Sequence, residues 1–157
     1  MLYSDNEVEQ RHGFTVEDVI HRLDINKQYL WIRENRHVGD LFVYSGIGGA
    51  ERRTSKTIKD YAENFLDALQ KKKSHWLSEE SRERILKYKN TYAEWKDTYC
   101  PVVVPYMSNY NIGGIEWDRR SLVIDGGNHR AIAMYLYWME KGEPNKAVVA
   151  PFIFEYK

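Results

Sequence analysis

One cysteine, four prolines, no net charge and no long apolar run set the first limits on this 157-residue chain. With Cys100 alone, no internal disulfide can form, which fits a reducing compartment. Lys plus Arg number 23 and Asp plus Glu number 23, so the formal net charge is +0. A neutral total gives no global pull toward nucleic acid or anionic membrane, although a local patch can still exist. No apolar run approaches the length of a membrane span. The N-terminus, from Met1 to Glu7, is acidic and lacks the apolar h-region of a signal peptide. The expectation is a cytoplasmic protein, with no membrane partner, no internal repeat and no low-complexity segment.

What is present is enough for a packed core. Hydrophobic residues make up 43% and aromatics 14%, which excludes a disordered chain. The length suits a single domain over 1–157. Residues 1–13 are polar, lack a pattern and read as a loose arm. Thr15 to Leu23 reads as a short helix with Thr15 as N-cap. Tyr29 to Arg33 and Asp40 to Ser45 read as strands. Thr57 caps a helix expected to run to about Lys73, with Ile58, Tyr61, Phe65, Leu66 and Leu69 at helical spacing. The cations Lys71, Lys72 and Lys73 at its end suit the helix dipole. Ser78 caps a further helix to about Lys96 that buries Ile85, Leu86, Tyr92 and Trp95, with alternating charges on its solvated face. Cys100 to Met107 reads as a strand with one end at a sheet edge, because of its prolines. Ile115 to Asp118, a turn at Arg119 and Arg120, and Ser121 to Ile124 read as a β-hairpin, and Ala147 to Phe154 as a last strand.

The chemistry concentrates between Ser121 and Tyr137. A β-branched run ends at Asp125, Gly126 and Gly127 break it, and an apolar helix begins near His129. A strand that stops at glycines and restarts as a helix aims free backbone N–H groups, and the positive end of the helix dipole, into the gap. That arrangement suits an anion, most often a phosphate. Gly126, Gly127, Asn128, His129 and Arg130 are therefore the candidate phosphate-binding residues. Asn128 is a neutral donor, His129 a titratable one and Arg130 a fixed cation. Asp125 offers a carboxylate for a metal or a general base, so Asp125, His129 and Arg130 are the candidate catalytic group. The plainer reading is a β-turn-α connection with Asp125 as a cap and Arg130 salt-bridged at the surface.

A second glycine-rich loop runs from Gly46 to Thr57, with Arg52, Arg53 and Lys56 close behind the glycines. It is no Walker A loop, because Ala50 and Ser55 stand where that pattern needs glycine. A basic loop able to close on a phosphate and a solvated turn both fit it. Arg52, Arg53, Lys56 and Asp118 are accessory candidates. His12, His21, His37 and His75 show no metal-ligand spacing, and the metal ligands are unknown.

Over Cys100 to Phe154 the chain resembles the ParB/sulfiredoxin-like superfamily. Pro101-Val102-Val103 matches its proline-valine strand. Asp125-Gly126 followed by His129-Arg130-Ala131 matches its Asp-Gly-x-His-Arg turn, and an alanine-bearing helix and a strand follow. Gly127 and Asn128 make the turn one residue longer than usual, which shifts His129. The resemblance implies an α+β fold, a small mixed β-sheet packed against helices, that acts as a stand-alone nucleotide-binding domain. It implies Mg²⁺ with ATP or CTP, held through this motif. Sulfiredoxin chemistry is not expected, because Asn128 stands where those enzymes carry cysteine. Chromosome partition is not expected either, because no helix-turn-helix region follows before Lys157.

The leading expectation is thus a nucleoside-triphosphate-binding enzyme that hydrolyses the nucleotide or transfers a phosphoryl group, with Asp118 or Asp125 as the base. Phosphoryl transfer needs donors and cations around the phosphate oxygens more than a strong nucleophile. One alternative is a non-catalytic nucleotide- or phosphate-binding module whose helix 79–96 contacts a protein partner. Another is a ParB-like DNA-binding protein or nuclease of a phage or mobile element, for which Arg119, Arg120, Lys71 to Lys73 and Tyr110 speak and the zero net charge does not.

Overall fold

In the computed structural model the backbone is described for residues 2–12, 16–17, 28–43, 56–97, 99, 102–105, 122–143 and 147–156, and side chains within a smaller set of these. The elements are β1 (Leu2–Tyr3), α1 (Asp5–His12), β2 (Gln28–His37), a 3-10 turn (Val38–Asp40), α2 (Ile58–Leu69), α3 (Glu79–Asn90), α4 (Tyr92–Trp95), β3 (Val102–Pro105), β4 (Leu122–Gly126), α5 (Asn128–Glu140) and β5 (Ala147–Tyr156).

The N-terminal residues are not a loose arm. Leu2 and Tyr3 pair antiparallel with Ile32 and Trp31, and α1 follows directly. Ser4 and Glu7 cap that helix reciprocally: Ser4 Oγ accepts from Glu7 N at 3.2 Å, and Glu7 Oε1 accepts from Ser4 N at 3.2 Å.

Strand backbones pair in the order β1-β2-β5-β3-β4. β2 and β5 run antiparallel from Gln28 opposite Tyr156 to His37 opposite Ala147. β3 lies between β5 and β4, parallel to the first and antiparallel to the second, so it is an inner strand and not an edge. The expected strand at 40–45 is replaced, over its described residues, by the end of the 3-10 turn and an isolated bridge between Phe42 and Thr57. Of the expected hairpin over 115–124, residues 122–124 fall in β4, while 115–121, like most of the helix at 15–23, lie outside the described residues.

Among the residues whose side chains are described the core is helical, and this overturns the expected α+β architecture of a small sheet packed against helices. Of the residues whose side chains are described, 68% are helical. Every member of their buried cluster lies on a helix or a connection. The cause is α5, which carries buried side chains from Ala131 through Leu136 and again at Trp138. A helix apolar on every side needs cover on every side. α2, α3, α4 and the 3-10 turn supply it.

Local chemistry sets each helix in place. Thr57 caps α2 through a box in which Asp60 N donates to Thr57 Oγ1 at 3.2 Å and Thr57 N donates to Asp60 Oδ2 at 3.0 Å. The helix stops at Leu69, short of the expected Lys73, because Lys71 takes a left-handed φ of 59°. Lys71 N and Lys72 N then donate to Ala68 O and Asp67 O, at 3.0 and 2.9 Å, which closes the helix end. The buried Asn64 ties down the connection to α3: its Nδ2 donates to Ser74 O at 2.9 Å, and its Oδ1 accepts from Trp76 N at 3.0 Å. The helix expected over 79–96 is broken at Thr91 into α3 and α4. Among the described residues no helix is long and apolar enough to cross a membrane.

Thr57→Ala removes one half of the α2 cap. It is expected to cost about 1 kcal/mol, read as a lower urea midpoint at unchanged slope.

Candidate functional site

β4 runs straight into α5 through one residue. Gly127 adopts φ 81° and ψ 25°, in the left-handed region, and, having no side chain, cannot itself cap α5. Its carbonyl accepts from Ala131 N at 3.0 Å and from the Tyr99 hydroxyl at 2.7 Å. The backbone runs as expected from a strand end through a glycine turn into a helix.

The side chains of the motif turn toward the other helices. His129 Nε2 lies 3.0 Å from Ser81 Oγ, in the first turn of α3. Burial, and then the charge of Arg84, push its pKa from 6.5 down to about 4, against a smaller opposing effect of Glu80. His129 is therefore neutral at pH 7 and brings a hydrogen-bonding ring, not a charge. The Ser81 hydroxyl is no exposed nucleophile, since Ser81 is buried, and its own N–H is capped by Ser78 Oγ at 3.2 Å.

Arg130 supplies the cation. Its guanidinium carbon stands 4.7 Å from the Tyr99 ring centre and 5.9 Å from that of Tyr88, a cation–π arrangement. Among the described residues, no carboxylate forms an ion pair with Arg130. Asn128 is buried at the helix start.

Behind the turn an aromatic stack joins α4 to α5. Tyr92 lies against Tyr137 with ring centres 4.2 Å apart and accepts from Trp138 Nε1 at 3.0 Å. Trp95 packs edge-on against Tyr92 and Tyr99, at 5.2 and 5.4 Å. Its Nε1 donates to Tyr88 O at 2.9 Å.

The structure thus brings Gly127, Asn128, His129 and Arg130 together, with Gly126 ending β4. Lys56 is elsewhere engaged, 5.2 Å above the Trp76 ring, and no described contact brings it to the Gly127 turn. Arg52, Arg53, Asp118 and the side chain of Asp125 lie outside the described residues. Among the described residues, no group of three or more His, Cys, Asp or Glu is placed to hold a metal. Sequence reasoning missed Tyr88, Tyr99 and Ser81, which hold the motif from behind. No known family, curated protein or solved structure matches the chain.

Proposed function

We propose that this chain binds a phosphate-bearing ligand, a nucleoside triphosphate with its Mg²⁺, at the N-terminus of α5. The observation that carries the reading is the junction itself: β4 ends, Gly127 turns left-handed, and α5 begins at the next residue. The first turn of a helix is its positive end, where backbone N–H groups suit an anion. Arg130 stands in the first turn of α5, without a carboxylate partner among the described residues, and is the side chain to pair phosphate oxygens. Neutral His129, braced by Ser81, orients the turn. A cytoplasmic setting, where ATP and CTP are at hand, fits the reading.

Hydrolysis or phosphoryl transfer is the activity such a site performs when fixed donors and a cation meet the charge that develops on the phosphoryl oxygens. A nucleotide-binding module without catalysis is the second reading. The commitment of His129 to Ser81 favours it, because that ring is tied to α3.

Thermal unfolding with ATP, CTP, GTP and ADP, with and without Mg²⁺, separates these readings. At a hundredfold excess over Kd, a bound nucleotide adds about 2.7 kcal/mol to stability and raises Tm. Arg130→Ala is expected to cut affinity at least roughly tenfold with the fold retained. No shift with any nucleotide ends the proposal. A shift without release of phosphate selects the binding module over the enzyme.

A further inference from the structure

The opposite end of the helical core carries a cavity. α3 and α5 lie side by side in the same direction: Ser81 meets His129 near their starts, and Lys89 meets Glu140 near their ends. Between those ends and the last turn of α2 is a cavity of about 260 Å³. Its walls are Phe65, Leu66 and Leu69 of α2, Leu86 of α3, and Leu136 and Met139 of α5. Leu69 is 56% and Leu86 38% exposed, the exposed large hydrophobics of the described residues. Both expose their side chains at this cavity.

Two charges complete the lining, Lys89 and Glu140, joined Nζ to Oε1 at 2.6 Å. Their burial differs: the Lys89 side chain is 21% exposed and that of Glu140 57%. Most of the Lys89 side chain lies against the cavity wall, and its ammonium is paired with Glu140. A carboxylate so exposed can swing into solvent at small cost. The pair therefore favours one exchange, in which an incoming anion replaces Glu140 on Lys89. Apolar walls with one replaceable anion at their end define a hydrocarbon tail with an anionic head.

We infer that this cavity binds a free medium-chain carboxylate, its tail between α2, α3 and α5 and its head on Lys89. Asn128 and Glu140 stand at opposite ends of α5, about 18 Å apart at helical rise. This site and the proposed phosphate site are therefore separate, and either can fail alone.

Decanoate, decanol and decyltrimethylammonium, each below its micelle-forming concentration, test the inference by calorimetric titration of the full chain. Decanoate binds most tightly. Lys89→Met keeps the stem, removes the charge and weakens decanoate roughly tenfold while leaving decanol unchanged. Glu140→Gln removes the competing anion and tightens decanoate about threefold. Leu69→Gln and Leu86→Gln, at exposed positions, weaken decanoate and decanol together. Circular dichroism of each variant confirms the helical fold. Equal binding of the cationic and anionic amphiphiles, no binding of decanoate, or unchanged decanoate affinity in Lys89→Met overturns the inference. So does a concentration-dependent dimer that Leu69→Gln dissolves, which assigns the groove to a second copy of the chain.

Discussion

Gly127→Ala is expected to lower the unfolding free energy by about 3 kcal/mol, and Gly142→Ala by about 1 kcal/mol. Both glycines end or begin α5 in the left-handed region, at φ 81° and φ 74°. A side chain at either position meets the same backbone penalty, about 1–2 kcal/mol. Their surroundings differ. A Cβ at Gly142 meets nothing within 4 Å, whereas one at Gly127 falls 2.8 Å from Tyr99 Cε2 and 3.0 Å from its hydroxyl oxygen. The Tyr99 ring has little room to yield. It is buried, packs edge-on against Trp95 at 5.4 Å and lies under Arg130 at 4.7 Å. Its hydroxyl donates to the Gly127 carbonyl at 2.7 Å, so a displaced ring also loses a hydrogen bond, about 1 kcal/mol. Urea unfolding of the two variants and of Tyr99→Leu combined with Gly127→Ala separates the contributions. The larger cost at Gly127 should shrink toward that of Gly142→Ala once the ring is gone. Equal costs at the two glycines in the wild-type background would show that Tyr99 does not brace the turn.

The same residues show what the sequence discloses and what it hides. The turn at Gly127 was legible because a β-branched run, two glycines and an apolar helix are each local signals. The caps Thr57 and Ser78 were legible for the same reason, since a cap depends on residues within one turn. What covers α5 was not. Its all-round apolar surface reads equally as a helix against a sheet or among helices, and pairing partners are a property of tertiary structure. One signal pointed the right way. Ser81, Ile85, Tyr88, Tyr92, Trp95 and Tyr99 recur at alternating spacings of four and three, the seam of a helix that packs on another helix. Ile85 and Tyr99 are buried on that seam, and Tyr88, Tyr92 and Trp95 pack against the core. Leu86, one position off the seam, is left partly exposed, against the expectation that it is buried. The break at Thr91 was less visible, because Thr91 carries no proline or glycine signal. Its hydroxyl donates to Lys87 O at 2.8 Å, as a threonine at a helix end does when it competes for a backbone carbonyl.

His129 bears on both the phosphate reading and the stability of the core, and its titration is expected to be visible in folding. Its ordinary pKa is 6.5, and in the folded chain burial and Arg84 hold it at about 4. Between those values the unfolded chain takes up the proton and the folded chain resists it. Stability from this group is therefore complete above pH 6.5 and is lost as pH falls toward 4. The gap sets an upper limit of about 3 kcal/mol, which solvent contact at the ring reduces to about 2 kcal/mol. Carboxylates titrate in the same range, so the informative quantity is a difference between proteins. Urea midpoints at about pH 7 and about pH 4.5 for wild type and His129→Gln supply it. The wild type should lose about 2 kcal/mol more than the variant over that interval. The glutamine amide keeps a hydrogen-bonding group near Ser81 and has no proton to take up. Parallel losses in the two proteins would mean that His129 titrates near its ordinary value. The ring would then be in water rather than against α3, and it would regain the charge that a phosphate could use.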